Sequence, residues 1–401
     1  MSKDILLVAH FCSDFDGKGN NRFNYLAEIL ANHGFGVELV TSDFSHNKKS
    51  KREKEISEHL NYKVTFIEEP IYEKNVSLKR FYSHYKLSTN LKVYLETRKK
   101  PDLIYCSVPS LDVASTAAKY AKRNNIKFII DIQDLWPEAF RMVYNIPVIS
   151  TLLFRPMQRK ADHIYASADE IIAVSKTYAD RASIVNKKCK EPHVIYLGTE
   201  LRYFDKIAEV NRVQKPDNEI WLAYAGTLGH SYDLKCVIDA LHVLSCKGHN
   251  NIKFIVMGDG PLRSSFENYA KSKNIYVEFT GKLDYERMVG LLKSCDIAVN
   301  PIIHDSAASI INKHADYAAA GLPVLNTQES KEYKDLVEDY YMGFNCINGE
   351  FNDLAEKLSL LIKNYDIRNT MGMNSRKLAE ERFDRLVTYN KIIDILNDLL
   401  D

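Results

Sequence analysis

The seven cysteines, at positions 12, 106, 189, 236, 246, 295 and 346, form no CxxC pair and are odd in number. That spacing suggests neither a disulfide framework nor a zinc knuckle, and suits small buried hydrophobes in a reducing compartment. The twelve histidines hold no HExxH motif and no i, i+4 pair, so no protein-held metal is expected. No apolar run approaches the ~18 residues needed to span a bilayer. Charge of one sign is also missing: 54 basic side chains meet 53 acidic ones. That balance argues against nucleic-acid binding driven by bulk charge. The opening segment MSKDILLVAH runs straight into a strand pattern and has no cleavable signal architecture. A cytoplasmic protein is expected, at most resting on the inner face of the cell membrane.

What is present is a regular alternation of short β-branched or aromatic runs with longer amphipathic stretches, the βαβ pattern of parallel sheets. In the first half strands are expected near Asp4–Ala9, Gly36–Thr41, Lys63–Ile67, Leu103–Cys106, Lys127–Asp131, Glu170–Val174 and His193–Tyr196. In the second they recur at Ile220–Ala225, Lys253–Gly258, Tyr276–Thr280, Asp296–Asn300 and Pro323–Leu325. The fold class is therefore α/β, with two doubly wound, Rossmann-like parallel-sheet domains facing each other across a cleft. The expected boundaries are 1–200 and 219–382, joined by a linker over 201–218 and followed by a helical tail over 383–401. Leu386, Ile393, Leu396 and Leu400 are expected to form one apolar stripe on that tail, which would let it pack back on the first domain.

Sheets of this kind bind ligands beyond the carboxyl ends of their strands, so four loops stand out. The first, Cys12–Arg22, carries Gly17, Lys18, Gly19, Asn20 and Arg22, which suit a sugar hydroxyl or an anion at a helix start. Asp14-x-Asp16 in the same loop resembles a metal-binding DxD only superficially. The second, Asp131–Glu138, gathers three carboxylates with Gln133 and Trp136. It reads as a polar site or as a helix-capping turn around Asp134 and Pro137. The third, Tyr224–Ser231, offers Gly226, Thr227 and Gly229, where a diphosphate can approach the backbone. The fourth, Ser306–Leu325, places Lys313 in the first turn of a helix. A cation there opposes the helix dipole unless an anion binds beside it. Asp316 lies at i+3 on the same face, so an ordinary surface ion pair is the competing explanation.

These segments together resemble the retaining GT-B glycosyltransferases of the large GT4 type. The likeness also runs through AVS at Ala173–Ser175, YLGTEL at Tyr196–Leu201, MGDGPLR at Met257–Arg263, FTGKL at Phe279–Leu283 and NKHADYAAAGLPV at Asn312–Val324. In wording it is nearest to bacterial surface-polysaccharide transferases of capsule and lipopolysaccharide. The resemblance implies an acceptor-binding first domain, a donor-binding second domain and no obligatory metal or other cofactor. Lys313 and the helix start Ser309, Ile310, Ile311 and Asn312, with the Gly226 region, would hold the donor diphosphate. Asp316 would bind the ribose, and Gly281, Lys282 and Leu283 would lie near the base. Gln133 and Asp134 would lie near the sugar. The pattern departs from the family at Ala308, where the first glutamate of Glu-x7-Glu is absent, at Thr227 in place of an arginine, and at Gln133 in place of a histidine.

The implied reaction moves a sugar from a nucleotide donor, by default UDP-linked, to a saccharide or undecaprenyl-linked acceptor with retention of configuration. An epimerase or hydrolase of nucleotide sugars and a non-catalytic scaffold are the alternatives. A separate expectation concerns Leu78–Lys100, rich in lysine, arginine and tyrosine. Leu87, Leu91, Tyr94 and Leu95 fall on one helical face there, either resting on anionic lipid or facing a core.

Overall fold

A computed structural model describes residues 2–15, 21–52, 60–75, 77–138, 147–304 and 310–401. The chain divides into two compact units: Met1–Ile195 with Tyr389–Asp401, and Tyr196–Thr388.

The first unit is built on strands β1 (Asp4–Val8), β2 (Gly36–Ser42), β5 (Lys63–Ile67), β6 (Leu103–Val108), β7 (Lys127–Ile132), β8 (Glu170–Ala173) and β9 (His193–Val194). They form one parallel sheet in the order β5-β2-β1-β6-β7-β8-β9. Central strands buried on both faces explain the near-continuous apolar runs ILLV and FII. A small antiparallel hairpin, β3 (Phe44–Ser45) and β4 (Ser50–Lys51), follows β2. Helices at Arg22–Asn32, Leu78–Thr97, Leu111–Asn124, Pro147–Ser167 and Lys176–Ser183 connect the strands. The Leu78–Thr97 helix buries Leu87, Leu91 and Leu95. The leucine stripe read from the sequence therefore faces a core, and any lipid contact must use another face.

The C-terminal helix Asn390–Leu400 completes this unit. Tyr389, Ile392, Ile393 and Leu396 join a core that includes Ile5, Leu7, Leu26 and Leu30. Each fully buried aliphatic chain contributes about 1.5–3 kcal/mol, so the tail is integral to the unit. Leu386, expected on the same stripe, is exposed, because the helix over 385–388 ends before Tyr389 and a new one begins.

The second unit carries β10 (Ile220–Ala225), β11 (Ile252–Met257), β12 (Val277–Gly281), β13 (Ile297–Asn300), β14 (Val324–Asn326) and β15 (Gly343–Asn345), parallel in the order β12-β11-β10-β13-β14-β15. Its core joins Leu222, Tyr224, Val256 and Val299 to Leu234, Val237, Leu241 and Leu358. The linker expected at 201–218 is largely a helix, Leu201–Asn211, burying Leu201, Phe204, Ile207 and Ala208. Those four positions do follow helical spacing; the polar residues between them hide it. β15 is an edge strand with Phe344 as its one apolar side chain, too short for a period-two signal.

Candidate active site

Strand ends of the second unit surround a cavity of about 570 Å³. Gly226 and Thr227 line it from the exit of β10, Gly258 and Asp259 from β11, Lys282 and Leu283 from β12, and Ile311, Asn312, Lys313 and Asp316 from the helix Asn312–Ala320. Gly226 takes φ +149°, and a Cβ on it would meet Tyr224 Oη at 3.1 Å and Lys313 Nζ at 3.5 Å. Gly258, at φ +150°, lies so close to Gly226 that a Cβ would sit 1.9 Å from the Gly226 carbonyl oxygen. Bare backbone at both positions keeps this end of the cavity open. The Asn312–Ala320 helix stops at Gly321, which takes φ +70°, the usual left-handed terminator.

Lys313 is only 7% exposed. Its Nζ has no hydrogen-bond partner among the described residues and lies 3.9 Å from the Tyr232 ring centroid and 4.5 Å from that of Tyr224. Burial holds its pKa well below the usual lysine value. Asp316 is equally enclosed, and Tyr285 Oη donates to its Oδ1 at 2.9 Å. Burial raises its pKa to about 6, against opposing effects of Tyr285 and Arg385. The simple i, i+3 ion pair is not formed: Asp316 is held by a tyrosine and Lys313 by two aromatic faces. Tyr317 Oη, in turn, accepts the Ala225 N–H at 2.8 Å and ties this helix to the end of β10.

Of the other second-unit residues singled out in the sequence, Gly229, Gly281 and Ile310 do not line the cavity. Gly281 stands behind it, its carbonyl accepting the Gly258 N–H at 3.0 Å, and Ile310 is buried. Ser309 and Ala308 lie outside the described residues. Sequence reasoning missed Tyr224, Tyr232 and Tyr285, which hold the two charged groups. Isolated tyrosines carry no spacing signal that marks them.

In the first unit Arg22 is a structural residue rather than a ligand-facing one. It is buried and pairs with Asp131 at 2.8 and 3.2 Å, and it donates to Tyr389 Oη at 2.7 Å. Asp131, wholly buried, also accepts from Tyr105 Oη at 2.9 Å. Glu138 pairs with Arg181 at 2.6 Å. Two of the three carboxylates of the Asp131–Glu138 segment are thus committed to ion pairs. Gln133 and Asp134 do follow β7, and Gln133 Nε2 is buried with no hydrogen-bond partner among the described residues. Asp134 accepts from the Leu135 N–H and the Trp136 indole, and burial raises its pKa. Asp14 is engaged by Arg52 and Lys48 at 2.5 and 2.7 Å. Asp16, Gly17, Lys18, Gly19 and Asn20 lie outside the described residues.

A buried polar network follows β1. His10 Nε2 meets Glu69 at 2.9 Å and His10 Nδ1 meets Ser110 Oγ at 2.7 Å. Glu69 also accepts from Ser42 and Ser83 at 2.5 and 2.6 Å. His10, Glu69 and His84 bring ligand-type atoms within 4.8 Å of one another. Both His10 nitrogens are already hydrogen-bonded, and the Arg80 guanidinium donates to His84 Nε2 at 3.4 Å. That set is built as a hydrogen-bonded network.

The chain is similar to known glycosyltransferases. Residues 19–203 match the family model Glycosyltransferase Family 4, and residues 205–378 match Glycosyl transferases group 1. An uncharacterised glycosyltransferase of Methanocaldococcus jannaschii is 26% identical over 58% of the chain and 60% of its own length. The capsular polysaccharide biosynthesis glycosyltransferase CapM of Staphylococcus aureus is 22% identical over 58% of the chain and 62% of its own length. The matched part is thus under two thirds of either relative. Anabaena HepE, solved in complex with UDP and glucose, has the same fold at a TM-score of 0.69 and 16% identity, over 99% of this chain and 100% of that one. Two parallel-sheet units, each carrying its own glycosyltransferase domain signature, establish that the chain belongs to the GT-B glycosyltransferases.

Proposed function

We propose that the chain transfers a sugar, with retention, from a UDP-linked donor to a saccharide or lipid-linked saccharide acceptor in bacterial surface polysaccharide synthesis. The observation that carries this reading is the Lys313 amino group, buried at the cavity wall with no hydrogen-bond acceptor among the described residues. Such a group costs stability unless an anion completes it. In this reading the donor diphosphate lies between Lys313, the bare backbone at Gly226 and the amides at the start of the Asn312–Ala320 helix. Asp316 takes the ribose hydroxyls, and Lys282 and Leu283 flank the base.

The chemical task is to stabilise a departing diphosphate while the anomeric carbon gains positive character. Lys313 and the helix amides meet that charge in a site whose low polarity strengthens them. This leaves no step that calls for a metal. The acceptor hydroxyl attacks from the face that the diphosphate leaves, and a phosphate oxygen takes its proton. UDP release by the purified enzyme tests the reading: UDP-sugar should be consumed with acceptor and be nearly inert alone. Consumption without acceptor would instead favour a hydrolase or epimerase, and failure to bind any nucleoside diphosphate would favour a scaffold.

A peripheral membrane contact forms part of the proposal. Leu78, Phe81, Tyr82 and Tyr85 are exposed on the first turns of the Leu78–Thr97 helix, interleaved with Lys79 and Lys86. Exposed aromatics among lysines suit an anionic lipid surface. No helix among the described residues is long and apolar enough to cross a membrane. Flotation with anionic vesicles at low salt, lost on changing Phe81 and Tyr82 to serine, is the expected result. No flotation at either low or high salt would remove the contact.

A further inference from the structure

Arg80 is the exception among the enclosed arginines of the first unit. Among the described residues Arg22 is paired with Asp131, Arg52 with Asp14, Arg98 with Asp4 and Glu38, and Arg181 with Glu138 and Asp162. Arg80, half-buried, has no ion pair there. Its guanidinium lies 4.9 Å from the Trp136 ring centroid and 5.8 Å from those of Phe11 and Tyr72. Its hydrogen bonds go to neutral acceptors, the Asn75 carbonyl at 2.7 Å and His84 Nε2 at 3.4 Å. Lys49, on the β3–β4 hairpin, reaches the same place. Its Nζ donates to Asn75 Oδ1 at 2.5 Å and His46 Nδ1 at 3.3 Å, lies 4.9 Å over the Tyr72 ring, and likewise has no ion pair among the described residues.

The two nearby carboxylates are already committed. Glu69 accepts from His10, Ser42 and Ser83, and Asp134 from a backbone amide and an indole, and neither forms an ion pair with Arg80 or Lys49. They act on Arg80 only through space. Burial, with Lys49 and Arg80 adding to it, lowers His46 to about 4; burial, with His10 and Arg80 adding, lowers His84 to about 2. Two cations without an ion pair among the described residues, one of them a planar fork suited to oxyanions, thus converge from different elements on a nest walled by aromatic rings.

We infer that the Arg80–Lys49 nest is an acceptor subsite, binding a phosphate carried by the acceptor saccharide, with Trp136 and Phe11 bordering the place of the adjoining sugar. The inference rests on the transferase reading, which is what requires an acceptor. The phosphate has two possible sources, a free sugar phosphate or a phosphodiester joining the saccharide to a lipid, and the probes separate them.

The chain has two tryptophans, so a Trp221→Phe background leaves Trp136 as the sole indole reporter. Glucose 1-phosphate, octyl glucosyl phosphate, methyl glucoside and inorganic phosphate are titrated with UDP saturating, and UDP binding is followed separately by melting shift. A saturable change with either sugar phosphate and none with methyl glucoside is expected. Preference for the octyl diester assigns the lipid-linked source, and preference for the monoester the free one. Arg80→Gln should weaken binding about tenfold or more, the scale of one charge-assisted hydrogen bond, with Arg80→Lys intermediate and UDP binding unchanged. Lys49→Met provides a second variant if Arg80→Gln melts early. Equal binding of methyl glucoside, response to inorganic phosphate alone, no saturable change with any probe, or curves unmoved in both variants would overturn the inference. Loss of UDP binding in the parent would strike the transferase reading instead.

Discussion

If the donor diphosphate lies against Lys313 as proposed, its binding should change the protonation of that lysine, and the change can be measured. In the structure Nζ is enclosed by Tyr224 and Tyr232 with no acceptor among the described residues, and burial depresses its pKa well below the usual value. An opposite charge within ~4–6 Å raises a lysine pKa by roughly 1–3 units. Donor binding should therefore take up a proton at any pH between the free and bound values. Affinity for UDP should rise as pH falls through that window, approaching tenfold per unit and reaching about 10–10³-fold in all. The assay is calorimetric titration with UDP at a series of pH values from 8 upward and downward to the ionisation of the nucleotide phosphates, in buffers of different ionisation heat. The apparent enthalpy should depend on the buffer in the parent and be independent of it in Lys313→Met. Lys313→Arg should also show none, because a guanidinium stays protonated. Buffer-independent heats in the parent, or a dependence that survives in Lys313→Met, would refute the reasoning. The ligand-free protein supplies the matching sign. Between the depressed folded pKa and the unfolded value of ~10.4, the unfolded chain holds one proton more. Stability should thus rise with pH there by up to ~1.4 kcal/mol per unit, and Lys313→Met should flatten the slope.

Three further outcomes follow from the same geometry. Lys313→Ala should lower turnover by about 10²-fold or more, the scale of one lost oxyanion donor, and an unchanged rate in a folded variant removes that role. Asp316, with a folded pKa of about 6, keeps its proton at pH values where the unfolded chain has lost its own. The corresponding stability is full below ~3.9 and declines as pH rises towards 6; Asp316→Asn should abolish the decline and weaken UDP binding, and melting curves from pH 4 to 7 check both. Arg22→Met strands the buried Asp131 carboxylate and should cost about 3–5 kcal/mol, read by urea unfolding. A loss under ~1 kcal/mol would show that Asp131 finds other partners.

The parts of this molecule legible in the sequence are those with a repeating signal. ILLV at β1 and FIVM at β11 are apolar on both faces because each strand is covered on both sides, so their runs stand out without context. β15 carries one apolar residue, and the Leu201–Asn211 helix is interrupted by charge, so both escape pattern reading. The candidate site divides in the same way. Lys313 stands out in the sequence because a cation in a first turn contradicts the dipole, an anomaly visible locally, and the structure puts it and Asp316 on one cavity. Arg22 was misread because a basic residue after a glycine loop suits a ligand equally well. Its true partner, Asp131, lies 109 positions away and meets it only once β1 and β7 share a sheet. Tyr232 and Tyr224 converge on Lys313 only when β10 and the Asn312–Ala320 helix are in place.

That tyrosine pair also bears on the departures at Thr227 and Ala308, where the family pattern would put an arginine and a glutamate. A lysine held by a carboxylate would have to break an ion pair before it could meet a diphosphate, and the freed carboxylate would then repel the incoming charge. Ring faces attract an ammonium through their quadrupoles without occupying its hydrogens, and they add no negative charge beside the ligand. The rings at 3.9 and 4.5 Å therefore fix where Nζ sits while leaving its donors unspent. Burial makes a charged Lys313 costly, and an arriving anion offsets that cost. With Thr227 in the arginine's place, the proposed reaction would rest a large share of the leaving charge on Lys313, whose strength there would come from its desolvation. Replacing Tyr232 with leucine would keep the cavity apolar and Lys313 buried but remove one face, so nucleotide binding should weaken while the charge count stays the same.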